Sequence, residues 1–329
     1  MSTIEETLTA AELSAVIFAP LSCGIYLISG ADAPRYLHGR VTQDIKALKS
    51  LEAADTLILT PQGRVLGQLL IVNLGSTFLV LSDPLSLPEQ RSDLLRSLLL
   101  FKVADDVQSE DLSERYGAIK VVGARAAAVI SQALGLHFET LSMPKLPCAL
   151  TSMGAYVLHR PLGEFDSFDI IAPQTELESL RSKLIAAEPG LLAGDLQSYE
   201  AVRITAGVPQ MGSEINDKLI GADLPLERTV AFRKGCYAGQ EVIEMATARG
   251  RPNRRLIAIR IESAEKIAAG DEIFVEAEGG RSSVGAITSA VFLPQRGETR
   301  ALAFIKNSVA DGTQLFAGTI PAKSCNAGR

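Results

Sequence analysis

The chain has 329 residues, a net charge of -6, 47% hydrophobic and 21% charged residues. That length allows about two domains, and that composition excludes a disordered or low-complexity chain. The acidic balance argues against broad electrostatic binding of nucleic acid, and Arg249, Arg251, Arg254 and Arg255 form only a local basic strip.

From the N-terminus, the apolar run from Ala15 to Ile28 reads as a buried strand. Pro20, Ser22 and Gly24 interrupt it, and Glu5, Glu6 and Glu12 precede it where an export signal would carry lysines. No later segment offers about 20 consecutive apolar residues, so no membrane span is expected and the cytoplasm is the expected compartment. Cys23, Cys148, Cys236 and Cys325 are scattered without a CxxC pair, and His38, His137 and His159 are isolated. A sequence-local metal site is therefore not expected, and reduced thiols suit the cytoplasm.

Cys23–Ser29 is predicted as a strand and Ala31–Asp44 as a helix, with Asp32 and Pro34 in its first turn. Asp55–Thr60 and Val65–Asn73 flank the turn Pro61-Gln62-Gly63-Arg64 and predict a hairpin, extended by a strand at Thr77–Leu81. Leu94, Leu95, Leu98, Leu99 and Phe101 mark a helix over Leu87–Phe101. A similar order follows: strand Ala118–Val122, helix Ala124–Leu134, strands near Ala155–His159 and Phe168–Ile171, helix Thr175–Ala187. Asp195 is the expected cap of a helix reaching Ala206, which Gly207-Val208-Pro209 ends.

Past a linker at Arg249–Asn253, short β segments at Leu256–Ile261, Glu272–Glu276, Ser283–Ser289 and Ala301–Ile305 predict a small β-barrel or sandwich. The whole reads as α+β.

Three segments are candidates for chemistry: Leu37–Asp44 (LHGRVTQD), Gly207–Glu214 (GVPQMGSE) and Lys234–Glu241 (KGCYAGQE). In the last, two glycines permit a tight turn, and a lysine with a possible helix start at Gly239 would both favour thiolate at Cys236. The bland alternative is a turn whose small cysteine packs inward. Glu214 could accept from the edge of a heteroaromatic ring, or be a solvated loop acid. Arg40 could equally form a helix-surface salt bridge.

In this order, with a hairpin between the first two segments and a β domain after the third, the segments resemble the YgfZ family of folate-binding, iron-sulfur-cluster-related proteins. The resemblance spans nearly the whole chain, and KGCYxGQE is that family's signature. It implies the fold of the glycine-cleavage T-protein aminomethyltransferase, three domains in a cloverleaf around a central channel. The implied division is 1–50 with 115–248, then 51–114, then the β-barrel 254–329.

The same resemblance implies a channel that binds tetrahydrofolate or a one-carbon derivative. Glu214 would hold the pterin; Gln240, Glu241, Tyr237, Arg40 and Arg249 would border the ligand; Cys236 and Lys234 would be the reactive pair. Tyr237 could instead simply pack, and the arginines near Arg249 could bind the folate tail, a partner's acidic surface or RNA phosphates.

The hairpin carries Gly67 and Gln68 where the T-protein has aspartates, so ordinary aminomethyl transfer is not expected. Gln240 replaces an arginine of that enzyme and weakens one anion contact. The implied function is an accessory role in synthesis or repair of iron-sulfur proteins, including radical enzymes that thiolate tRNA. Its implied partners are those proteins or their assembly factors. The rivals are a folate-dependent one-carbon transferase using Cys236 and a non-catalytic interaction module. Whether Cys236 would ligate iron, attack a one-carbon unit or sense oxidation stays open.

Overall fold

The structure, a computed structural model, describes residues 3–83, 88–138, 144–248, 252–263, 265–278 and 280–325. The chain opens with α1 (Ile4–Leu13), then β1 (Val16–Leu21), β2 (Ile25–Ser29), α2 (Ala33–Arg40), β3 (Glu52–Leu59), β4 (Val65–Asn73), β5 (Phe78–Leu81) and α3 (Pro88–Leu99). Next come β6 (Gln108–Asp111), β7 (Tyr116–Val122), α4 (Ala126–Leu134), β8 (Lys145–Leu150), β9 (Tyr156–His159), β10 (Ser167–Pro173), α5 (Leu177–Ala187) and β11 (Leu192–Gly194). The series ends with α6 (Leu196–Thr205), α7 (Leu226–Thr229), α8 (Gln240–Ala248), β12 (Arg254–Glu262), β13 (Glu272–Ala277), β14 (Gly280–Leu293), β15 (Glu298–Lys306), β16 (Leu315–Ala317) and β17 (Ile320–Cys325).

β1 to β11 form one sheet in the order β11-β1-β7-β10-β9-β8-β3-β4-β5-β2-β6, and β12 to β17 close a six-stranded barrel. The α+β architecture with a C-terminal barrel is therefore present. All strand pairs in the large sheet are antiparallel except β1 with β11. Strand β2, on the 1–50 side of the expected boundary, runs between β5 and β6. Strand β8 joins the two halves by pairing with both β3 and β9.

The run from Ala15 to Ile28 is two strands broken at Ser22–Gly24, each feeding a different half of the sheet. Helix α1 is absent from the sequence expectations, yet its signal is local. Thr3 accepts from the Glu6 amide while the Glu6 carboxylate accepts from the Thr3 amide, a reciprocal capping box. Asp195 caps α6 in the same reciprocal way with Ser198.

Helix α2 stops at Arg40, four residues short of the predicted end, where Val41 turns extended (φ -118°, ψ 164°). The β-branched Val41 and Thr42 suit that extended backbone. Lys234 Nζ accounts for the carbonyls left at this helix end, donating to the oxygens of His38, Val41 and Gln43, the latter two at 2.6 and 2.7 Å.

The two halves of the sheet share one core, in which Phe18, Val122 and Ile171 pack with Ile25, Val72 and Leu79, and each half buries a further core under its own helices. Ile28, Leu37, Ile58, Val80 and Leu98 pack beneath α2 and α3, and Ile17, Val121, Ile130, Ile170 and Leu180 beneath α4 and α5. The barrel holds its own core of Ile257, Ile259, Ile261, Ile273 and Ala303. It docks on the body through Leu256, Leu302 and Phe304, packed with Leu57, Ile204 and Ile243. No helix among the described residues is long and apolar enough to cross a membrane.

Candidate functional site

A cavity of about 110 Å³ opens where the halves of the sheet meet α6 and α7. Its polar lining includes Asp55 from β3, Gln68 from β4, Lys120 from β7, Arg160 beyond β9, Tyr199 from α6 and Arg228 from α7. The loops around Leu162, Val208, Pro209 and Pro225 supply the apolar wall. Drug-sized ligand sites run to roughly 300–1,000 Å³, so this one suits a small ring with any tail outside.

The charges alternate in a chain: Arg228, Asp55, Arg160, Asp169, Lys120. Arg228 Nη2 lies 2.9 Å from Asp55 Oδ2, and Arg160 Nη2 lies 2.6 Å from Asp55 Oδ1. Arg160 Nη1 lies 3.3 Å from Asp169 Oδ2, and Lys120 pairs with the other oxygen of Asp169. Burial opposes ionisation of Asp55, but Arg160 and Arg228 outweigh it and hold the carboxyl at about 2. Burial pulls Lys120 down against the attraction of Asp169, and it drives the Tyr199 hydroxyl well above its ordinary range.

Gln68 lines this cavity and its amide reaches 3.5 Å from Asp55 Oδ1. Gly67 does not. A β-carbon there would meet Leu94 Cδ1 at 2.5 Å and Met211 Cε at 3.0 Å, so any side chain at that position requires these two flexible side chains to move.

Of the segments singled out from sequence, KGCYAGQE lies outside the cavity lining. Cys236 is exposed to solvent, in contrast to Cys23 and Cys148, whose burial pushes their thiols up to about 12. The packed-inward alternative for Cys236 is therefore not what the fold adopts.

Lys234 is buried, and its ammonium faces three carbonyl oxygens and the Tyr237 ring, 4.9 Å from the ring centroid. Burial pulls it down to about 7 against the attraction of Asp44. Its protons thus fasten the end of α2. Tyr237 is half-buried, and burial followed by the charge of Glu244 pushes its hydroxyl up to about 12.

Gln240 turns back onto its own loop. Its Oε1 accepts from the Tyr237 amide at 3.3 Å and its Nε2 donates to Glu244 at 2.5 Å. Glu241 is exposed in the first turn of α8. Arg249 lies outside the described residues.

Glu214 and Arg40, expected to border the ligand, both lie outside the lining of this cavity. Glu214 is fully buried, where its carboxylate accepts from Arg203 (2.9 Å), Ser289 (2.6 Å) and the Gln210 amide (3.1 Å). Because Ser289 belongs to β14, this acid ties the barrel to the body instead of facing the cavity. Arg40 donates to the carbonyls of Ser97 (2.9 Å) and Leu98 (3.3 Å) at the end of α3, and its guanidinium lies 4.5 Å from the centroid of the Phe101 ring. It caps a helix and takes no part in the cavity lining.

The cavity and the cysteine turn are physically joined. Thr42 Oγ1 donates to the Thr229 carbonyl at 2.5 Å, Gln43 Nε2 donates to the Arg228 carbonyl at 2.9 Å, and Lys234 holds Val41 and Gln43. Helix α7 thus carries Arg228 into the cavity while its backbone rests on the loop that Lys234 clamps. Sequence reading missed the ion chain because its members sit on five separated elements with no shared motif.

A family model described as the GCVT N-terminal domain matches residues 2–234. The chain belongs to this family. As a GCVT-family chain it is 26% identical over 316 residues to an aminomethyltransferase of Saccharopolyspora erythraea, covering 93% of the chain and 83% of that protein. It is 23% identical over 252 residues to the tRNA-modifying protein YgfZ of Colwellia psychrerythraea, covering 76% and 73%. The solved glycine cleavage system aminomethyltransferase T of Bartonella henselae superposes with a TM-score of 0.79 at 20% identity, covering 98% of this chain and 87% of that one. The resemblance read from the signature therefore stands, for a YgfZ-like protein on the aminomethyltransferase fold.

Proposed function

We propose that this chain binds a tetrahydrofolate derivative in the central cavity and acts as an accessory factor for synthesis or repair of iron-sulfur proteins, including enzymes that thiolate tRNA. The observation that carries the reading is the composition of the cavity: apolar walls and Tyr199 for a ring, and a polar end in which Asp55 is held by Arg160 and Arg228, with Asp169 behind the lining holding Arg160 and Lys120. Carboxylates fixed in this way suit binding. They are poor bases, because removing their partners leaves a buried charge uncompensated.

Gly67 and Gln68 reinforce the separation from amine transfer. Where the resemblance leads one to expect carboxylates, one position carries no side chain and the other carries a neutral amide. The exposed Cys236 then serves a partner protein, since it stands outside the cavity.

Two measurements test this. Calorimetry of the purified protein with tetrahydrofolate should give one equivalent bound, and expression of the chain should restore iron-sulfur enzyme activity in cells lacking the endogenous protein. Turnover of methylene-tetrahydrofolate by the purified chain would replace this reading with the transferase, and rescue without folate binding would leave an interaction module.

A further inference from the structure

His38 is isolated in the sequence, yet the fold brings it to the cysteine turn. A β-carbon on Gly235 would lie 3.6 Å from His38 Nε2, so this ring nitrogen faces the backbone just before Cys236. The other ring nitrogen, Nδ1, lies 3.2 Å from Asp44 Oδ1, in a charge contact rather than an aligned hydrogen bond, and the side chain is 12% exposed. Asp44 is itself held, its Oδ1 accepting from the Ala47 amide at 3.1 Å. Lys234 donates to the His38 carbonyl, so the segments LHGRVTQD and KGCYAGQE are fastened at the same place.

Cys236 is the residue after Gly235, and consecutive α-carbons are about 3.8 Å apart. Its thiol is exposed, makes no hydrogen bond among the described residues, and turns about a single side-chain bond. The charged groups facing the ring are Asp44, Lys46 and Lys234. Burial, then the Lys234 ammonium, pulls His38 below its ordinary range, and Asp44 opposes them. At neutral pH the ring is therefore uncharged, and Asp44 favours the tautomer with hydrogen on Nδ1, which leaves Nε2 as an acceptor toward the turn.

We infer that His38 is the positioning residue for Cys236: on rotation of the thiol the Sγ proton passes to Nε2, and the thiolate pairs with an imidazolium whose charge Asp44 sustains. The inference rests on the reading that Cys236 serves a partner protein, and it names the chemistry offered, attack on a disulfide of that partner. Sγ forms the new sulfur-sulfur bond, the old one breaks, and the released thiolate takes the proton back from Nε2. The Lys234 clamp is untouched by this exchange, because it holds the His38 carbonyl and not the ring.

The test reads the thiolate at Cys236 with two uncharged probes, iodoacetamide and dipyridyl disulfide, mass spectrometry separating this site from Cys23, Cys148 and Cys325. An imidazolium favours a neighbouring thiolate only while it holds its proton. The native chain should therefore outpace His38→Gln by at least about threefold near pH 5, after the lower nucleophilicity of a paired thiolate is allowed for. That ratio should fall to about one by pH ~8, above the ordinary imidazole range. A change of access alone would alter the rates by the same factor at every pH.

Equal rates throughout, or a ratio that stays constant between about pH 5 and pH ~8, overturns the inference. If circular dichroism shows that His38→Gln does not fold, Asp44→Asn decides: slower reaction of Cys236 in acid supports the inference, and a rate equal to that of the native chain overturns it. All rates are read on the purified chain without folate or partner. A failed rescue in cells therefore counts against the partner reading of Cys236 and leaves the pairing with His38 to be judged by these rates.

Discussion

Gly239 and Gly63 meet backbone to backbone. A β-carbon on Gly239 would stand 3.0 Å from Gly63 Cα and 2.6 Å from the Thr60 carbonyl oxygen, and Gly239 itself has φ +81°. The signature turn is thereby seated on the β3–β4 hairpin, whose Gly63 would in turn drive a β-carbon to 2.5 Å from Val242. Both glycines are fixed by close approach and left-handed backbone, which explains two of the residues that made this segment conspicuous.

Gly239→Ala should therefore lower stability by about 2 kcal/mol, from left-handed strain together with the contact on Thr60. Chemical denaturation measures this. An unchanged midpoint would mean that the turn is not seated as described.

Arg40→Met should cost about 1–2 kcal/mol by uncapping α3 and losing the contact with Phe101, while tetrahydrofolate affinity stays the same. Glu214→Ala should cost more, about 2–3 kcal/mol, because Arg203 keeps Glu200 but Ser289 and the Gln210 amide lose their buried acceptor. Melting curves alongside calorimetry separate these structural losses from a loss of binding. Intact stability with abolished affinity would place either residue back at the ligand.

Acid should weaken the fold through Asp55. Its folded value of about 2 lies below the ordinary 3.8, so at intermediate pH the unfolded chain binds the proton more readily. The stabilisation is complete above about pH 4 and is lost as pH falls through 2, for a contribution of about 2 kcal/mol. Denaturation midpoints between pH 5 and 2 should fall more steeply for the native chain than for Asp55→Asn. Parallel curves would remove Asp55 from the acid response.

Cys236→Ala should leave stability and folate affinity unchanged, because the thiol is exposed and outside the cavity. Rescue of iron-sulfur enzymes in cells should nevertheless fail. Full rescue would take the cysteine out of the mechanism.

The fold was legible because its signals are local: alternation in the strands, the Asp195 cap, the hairpin glycine and the short β segments of the barrel. The candidate site was legible only in part. Lys234 and Arg40 attract attention as charges beside glycine and helix patterns, yet each is bound to carbonyls by tertiary packing that no spacing announces. Glu214 reads as a loop acid until Ser289, 75 residues later, closes over it from the barrel. Asp55 on β3, Arg160 just beyond β9 and Arg228 on α7 converge only in the folded chain, and a strand buried along nearly its whole length hides a cavity-facing aspartate among core positions.

Amide hydrogen exchange with and without tetrahydrofolate tests the location of binding most directly. The account predicts slowed exchange in the segments around Arg160 to Gly163, Val208 and Leu226 to Ala231, which line or support the cavity. Protection confined to the barrel, or no change at saturating ligand, would contradict it.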